Sequence, residues 1–438
     1  MTRIRDILTT RGHAFVTAGL VLLVGGLLLG FTDITRVGVL LAALPLLAAL
    51  NTRHTNNGDN IVVTRTVHPV RLVVGQGARV SIFLQNTSGR RNRLQLAEET
   101  LHHLLGARPR FVLPSMEPGD IRVVDYEIRA QARGRFRLGP LTLRGRDPYD
   151  LATIATSARS ATSRPGSTDI LVLPRIEILG SKHPRADGFG TEGAIPHMVA
   201  LHGEDDVAVR NYRDGDDLRR IHWPATAHQS ELMVRQEDRP AKRRAIIVLD
   251  SRAAGHQGSG AAGSFEWAVT AAASVAAHLS EHHYELHLVT SETIAEDTAA
   301  QSVEVDDALA SLAMAELGTS QQFEEVLQWA PSLTSAGGLV VAMVTSRDEA
   351  ELRRIAALRQ LEGTGLLILL DTDSFAPSRS GSPGSPGAHG ARSDQTSALA
   401  DMVTEAGWSS CVVDSDMTVA QAWNALSGVG AISFGAGR

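Results

Sequence analysis

At 438 residues the chain exceeds the roughly 250–300 over which a single core grows, so it holds more than one domain. Its lone cysteine, Cys411, excludes an intramolecular disulfide framework and a cysteine-rich zinc site. Its only lysines, Lys182 and Lys242, lie in no Gly-x-x-x-x-Gly-Lys-Ser/Thr loop, which excludes an ATPase of that class. Charge is uneven: residues 1–160 carry 21 basic against 11 acidic side chains, and residues 245–438 carry 8 against 24. The basic half has few aromatics near its arginines, which argues against nucleic acid and leaves anionic membrane lipid as its match.

Residues 14–31 are apolar and uncharged, and residues 37–50 repeat the pattern after the break TDITR at 32–36. A spanning helix needs about 20 apolar residues, so the second run qualifies only by recruiting Ile34, Thr35 or Asn51. The pair predicts a membrane anchor of two transmembrane helices over 1–55. A buried core hairpin is the soluble alternative, disfavoured by the lack of any polar face. Arg3, Arg5 and Arg11 precede the hairpin and Arg53 and Arg65 follow it, against a single Arg36 between the spans. This predicts a multi-pass protein of the cell membrane with both ends, and all soluble parts, in the cytoplasm.

Residues 56–160 show short alternating runs such as ARVSIFL at 78–84 and DIRVVDYEI at 120–128, separated by Gly, Pro and Asn, and predict a β-sandwich-like domain. A Ser/Thr/Ala-rich run at 155–168 predicts an exposed linker, and 161–240 a connection. From 241 to 438 strand-like runs at 245–249, 286–290, 339–345, 366–370 and 409–413 alternate with helical stretches at 265–279, 306–316, 348–361 and 419–426. That texture predicts a doubly wound α/β domain with a parallel sheet. The low-complexity run at 374–397 predicts a disordered insertion.

Chemistry concentrates in VRNYRDGDDLRRIHWPATAH, residues 209–228, where Asp214, Gly215, Asp216 and Asp217 form a polar turn between arginines and aromatics. His222 with these carboxylates and Arg219 or Arg220 supplies an acid, a base and an anion binder, the minimum for hydrolysis. The nearest serine, Ser230, sits in no Gly-x-Ser-x-Gly elbow, and the chain has no His-Glu-x-x-His motif. The bland reading is a turn whose aspartates cap backbone amides and pair with the arginines, with Trp223 buried at a domain junction. Partner recognition through Arg210, Tyr212, Gly215, Asp216, Arg219, Arg220, His222 and Trp223 is the functional reading.

The segment resembles the signature of the bacterial family catalogued as domain of unknown function 58, carried by Arg210, Tyr212, Gly215, Asp216, Arg219, Ile221, His222, Trp223, Thr226 and Ala227. Pro224 and His228 stand where that pattern commonly has basic residues. Arg133 to Pro140 and the Asp147, Pro148, Tyr149 triplet resemble turn-forming marks that precede the signature in the same family. The α/β portion resembles a von Willebrand factor A domain, whose metal site begins Asp-x-Ser-x-Ser after the first strand. Here only Asp250 is in place; Arg252 and Ala254 occupy the serine positions, and an ion pair of Arg252 with Asp250 is expected in place of a metal. Thr345 and Ser346, at the end of a later strand, are placed to complete such a site but do not rescue it alone. The resemblance implies a membrane-anchored adaptor for a MoxR-type AAA+ ATPase, with a transglutaminase-like membrane protein as a possible second partner. From the residues themselves no cofactor is expected and recognition is favoured over catalysis; a hydrolase built on 214–222 is the alternative.

Overall fold

The computed structural model describes residues 7–55, 60–160, 167–180, 209–211, 221, 223–229, 231–235, 243–334, 338–345, 347–359, 364–376 and 386–428. The chain divides into two compact units, Met1–Arg175 and Ile176–Arg438.

The first unit opens with two helices, α1 (Thr10–Leu29) and α2 (Thr32–Thr55). Thr9 caps α1 by accepting from the Gly12 amide at 3.1 Å, and Gly30 ends it in the left-handed conformation. The expected break at 32–36 is instead the first turn of α2. Asp33 sits there, where the helix dipole favours an anion, and pairs with Arg36 at 3.2 Å. Ile34 and Thr35 are thereby recruited, so both helices are long and apolar enough to cross a membrane. They pack through glycine: a Cβ on Gly19 would lie 2.6 Å from the Ala42 amide, and one on Gly38 2.5 Å from that of Leu23. Leu20, Val21, Leu28 and Leu47 are exposed, so the pair is not buried in a core.

Eleven strands follow: β1 (Ile61–His68), β2 (Leu72–Val73), β3 (Gly77–Asn86), β4 (Gln95–Glu99), β5 (Arg110–Leu113), β6 (Ile121–Arg129), β7 (Gly134–Leu138), β8 (Leu141–Arg146), β9 (Thr153–Ser157), β10 (Arg159–Ser160) and β11 (Thr168–Leu173). They form sheets ordered β10-β1-β3-β6, β5-β4-β8-β9 and β2-β11-β7. Strand β3 shows why: Ala78, Val80, Ile82 and Leu84 alternate inward, into one core with Ile61, Val63, Ala97, Leu113, Leu141 and Leu143. Two sequence expectations are corrected. Residues 155–160 are not linker, because β9 pairs with β8 and β10 with β1. The β domain also runs past 160, because β11 pairs antiparallel with β7. A half-buried edge strand needs few apolar residues, so Ser and Thr there mimic a linker.

Residues 176–180 belong to the second unit rather than to a connection: the Glu177 amide donates to Ser274 Oγ at 2.9 Å, and Leu179 is buried. A small antiparallel pair, β12 (Val209–Asn211) and β13 (Met233–Arg235), brackets α3 (Trp223–Gln229). The α/β domain then runs β14 (Arg244–Leu249), α4 (Ser264–Glu281), β15 (Glu285–Val289), α5 (Ser291–Ala295), α6 (Val305–Met314), α7 (Ser320–Thr334), β16 (Leu339–Val344), α8 (Glu349–Ala356), β17 (Thr364–Leu370), α9 (Pro386–Glu405), β18 (Ser409–Val413) and α10 (Val419–Gly428). The sheet is wholly parallel in the order β15-β14-β16-β17-β18. Its inner strands are apolar throughout because helices cover both faces.

Helix α7 went unread in the sequence. It presents Phe323, Val326, Leu327, Ala330 and Leu333 to the sheet at helical spacing, but Gln, Glu and Pro331 fill the positions between. The disordered reading of 374–397 is also corrected. Residues 372–375 form a turn of 3₁₀ helix and α9 begins at Pro386; only 377–385 lie outside the described residues. Proline is compatible with a first helical turn, and burial of Leu399, Ala400 and Val403 on the sheet holds the helix despite its low-complexity start.

Candidate functional site

Strand order places β14 between β15 and β16, so the chain leaves β14 to one side and returns on the other. The crevice beyond the carboxyl ends of β14 and β16 is the switch point where open α/β sheets bind ligands. Asp250, at the end of β14, and Thr345, at the end of β16, meet there, with a cleft of about 330 Å³ above them.

Asp250 is fully buried and its carboxylate is fully engaged. Oδ1 accepts from the Arg252 amide at 3.1 Å and from Arg252 Nε at 3.0 Å. Oδ2 accepts from Arg252 Nη2 at 2.8 Å, the Thr345 hydroxyl at 2.7 Å and the Thr345 amide at 3.1 Å. The other arm of the guanidinium donates to Glu351 of α8 at 3.0 Å, and its Cζ lies 4.3 Å from the centre of the Phe323 ring on α7. His256 bridges the Asp250 carbonyl at 2.8 Å and Ser264 Oγ at 2.9 Å, and burial lowers its pKa. Ser251 turns away to Ser291, 3.1 Å off.

This donor set does not fit a divalent cation. Magnesium needs oxygen lone pairs, and here five N–H and O–H donors consume those of Asp250 while a guanidinium occupies the approach. Among the described residues no group of three or more His, Cys, Asp or Glu is placed to hold a metal.

Burial disfavours the Asp250 carboxylate, but Arg252 and Thr345 outweigh it and hold its pKa below the usual range. A depressed folded-state pKa adds stability that is present above the unfolded value, about 4, and lost as pH falls through the folded one. Asp250→Asn is therefore expected to melt below wild type by a constant margin from pH 8 to 5. That margin should shrink on further acidification, and one that persists unchanged to pH 3 would contradict the pairing.

Of the signature residues, Arg210 lies in β12, paired in register with Val234, and Trp223 begins α3. The expectation of a buried Trp223 is corrected: it stands at the start of α3 and is 66% exposed. Met233 is the buried residue there, and its amide donates to Thr226 Oγ1 at 2.9 Å, giving that signature threonine a structural task. Tyr212, Gly215, Asp216, Arg219, Arg220 and His222, with Asp214 and Asp217, lie outside the described residues, so no geometry bears on the hydrolytic alternative. Glu351, Phe323 and His256 escaped sequence reasoning. Glu351 lies 99 residues from Arg252, with no local signal to link them.

The family described as "Protein of unknown function DUF58" matches residues 208–323, from the signature through β14 and α4 to Phe323 of α7. No curated protein matches the chain. The alkylpurine DNA glycosylase AlkC of Pseudomonas fluorescens is 17% identical over 29% of this chain and 39% of its own, with a TM-score of 0.17. The sporulation control protein Spo0M of Bacillus subtilis is 9% identical over 23% and 49%, at 0.12. A GH20 exo-β-N-acetylglucosaminidase of Vibrio harveyi is 10% identical over 81% and 76%, at 0.19. Likenesses of this size carry no argument about fold or activity, and the chain spans well under half the length of that glycosylase.

Proposed function

We propose that this protein is a membrane-anchored cytoplasmic scaffold. It recruits a protein partner through its signature segment and its von Willebrand factor A-like domain. The observation that carries the reading is the occupied carboxylate at the floor of the cleft: the Arg252 guanidinium spans Asp250 and Glu351 where a cation would be held. A site satisfied from within favours recognition by surface, independent of metal, over chemistry. The exposed Trp223 supports it, since a large aromatic beside arginines is the composition of an interface hot spot. Family resemblance points to a MoxR-type AAA+ ATPase as that partner and to a transglutaminase-like membrane protein as a second. The arginines flanking the hairpin support the cytoplasmic side.

Binding of the full chain in nanodiscs to the purified ATPase tests this. Trp223→Ala is expected to weaken binding by roughly 30-fold, the equivalent of about 2 kcal/mol, without lowering the melting temperature. Charge reversal of Arg219 and Arg220 should weaken it mainly through slower association. Unchanged affinity in both variants would sink the proposal. A hydrolytic activity in wild type that vanishes in His222→Ala would favour the enzyme instead.

A further inference from the structure

The start of the hairpin is hydrogen-bonded directly to the β domain. Residues just before α1 lie along the end of β9: Leu8 bridges Ala152 antiparallel, and the Thr153 amide donates to the Ile7 carbonyl at 2.7 Å. Thr9, the cap of α1, donates its amide to the Leu151 carbonyl at 3.0 Å and its hydroxyl to the Asp150 carbonyl. Contact is so close that a Cβ on Gly12 would lie 2.2 Å from the Leu151 carbonyl oxygen. The end of the hairpin packs on the same edge, α2 against β9.

The receiving turn, 147–151, is bonded from within. Asp147 is buried, and its carboxylate accepts from the Tyr149 amide at 2.9 Å and the Leu151 amide at 3.0 Å. Asp150 holds the left-handed conformation and pairs with Arg146 at 3.4 Å. Tyr149, at the tip, is 73% exposed.

Depth follows from helix geometry. The apolar run of α1 begins at Ala14, five residues beyond Thr9, which at about 1.5 Å per residue is about 7.5 Å along the axis. The headgroup layer on each face of a bilayer is about 5–7 Å thick. A turn bonded to Thr9 therefore lies in that layer or at its rim. An exposed tyrosine is the residue favoured at that depth, and Arg11 and Arg146, both exposed, match anionic phosphates.

We propose that the 147–151 turn is a lipid-headgroup site: Tyr149 seats among the headgroups and Arg11 and Arg146 face lipid phosphates. This holds the β domain directly on the membrane surface. The inference rests on the membrane-anchor reading above.

Nitroxide labels test both separately. In a Cys411→Ser background, one label replaces Tyr149 and another replaces Val21, in the middle of α1. The full chain is placed in vesicles of phosphatidylcholine and phosphatidylglycerol. Collisions with oxygen and with a water-soluble nickel chelate are then measured. The label at 21 should lose nickel collisions and gain oxygen collisions, as in hydrocarbon; the label at 149 should fall between that and free label in buffer. A water-like label at 149 with a hydrocarbon-like label at 21 overturns the headgroup site alone. Water-like behaviour at both positions overturns the anchor as well.

Discussion

Arg65→Met is expected to destabilise the protein by about 3–5 kcal/mol, the cost of leaving one charge of a buried pair unmatched. Arg65 on β1 and Glu99 on β4 form a fork across the β-sandwich, Nε to Oε1 at 2.7 Å and Nη2 to Oε2 at 3.1 Å, with both side chains fully buried. Burial pushes the Glu99 carboxyl up against the pull of Arg65, and burial with the Glu99 charge pushes the Tyr126 phenol far above its ordinary value. Glu99 alone, without its guanidinium, must take up a proton or remain charged in a dry core. Removing both charges, as in Arg65→Met with Glu99→Leu, should recover most of the loss, because neither desolvation cost remains. Chemical unfolding of the full chain in detergent distinguishes the cases. A double variant as unstable as the single one would show that shape, and not charge, sets the requirement.

Arg252→Ala is expected to cost a comparable amount, about 3–5 kcal/mol, and to reverse the pH dependence at Asp250. Wild type keeps that carboxylate ionised through Arg252 and Thr345. Without the guanidinium, burial dominates and the folded-state pKa rises above the unfolded one. A raised carboxylate pKa contributes stability below the unfolded value and loses it as pH rises through the folded value. The variant should therefore gain stability relative to wild type as pH falls from 7 toward 4, already above pH 5, where the margin of Asp250→Asn is still constant. Melting temperatures across that range give the sign directly, and parallel curves would contradict the assignment of Arg252 as the counter-ion.

Sequence carried the architecture where period and punctuation agree. The apolar runs that became β14, β16 and β17 stand out because strands buried on both faces need no alternation, whereas β15 and β18 lie at the sheet's edges. Strand β9 and helix α9 were hidden by composition, since Ser, Thr, Gly and Pro mark loops on average and only tertiary pairing or burial decides otherwise. Size suggests burial for Trp223, whereas burial depends on what packs above a residue, and α3 is only 7 residues long. At the crevice, Asp250 and Arg252 were legible as near neighbours of opposite charge. Glu351 and the Phe323 ring were not, because α8 and α7 arrive from later in the chain and meet Arg252 only once the sheet is wound. The Asp147 turn was legible as turn chemistry, but its role as the seat of α1 depends on a pairing across 141 residues.

In the proposed function Arg252 stands where a ligand or cation would bind, which leaves the α/β domain to act through its surface. Calorimetric titration of magnesium and of manganese into the purified full chain tests this most directly. The expected result is no saturable heat in wild type, because five donors already occupy the Asp250 carboxylate. A stoichiometric, micromolar signal that disappears in Asp250→Ala would contradict it.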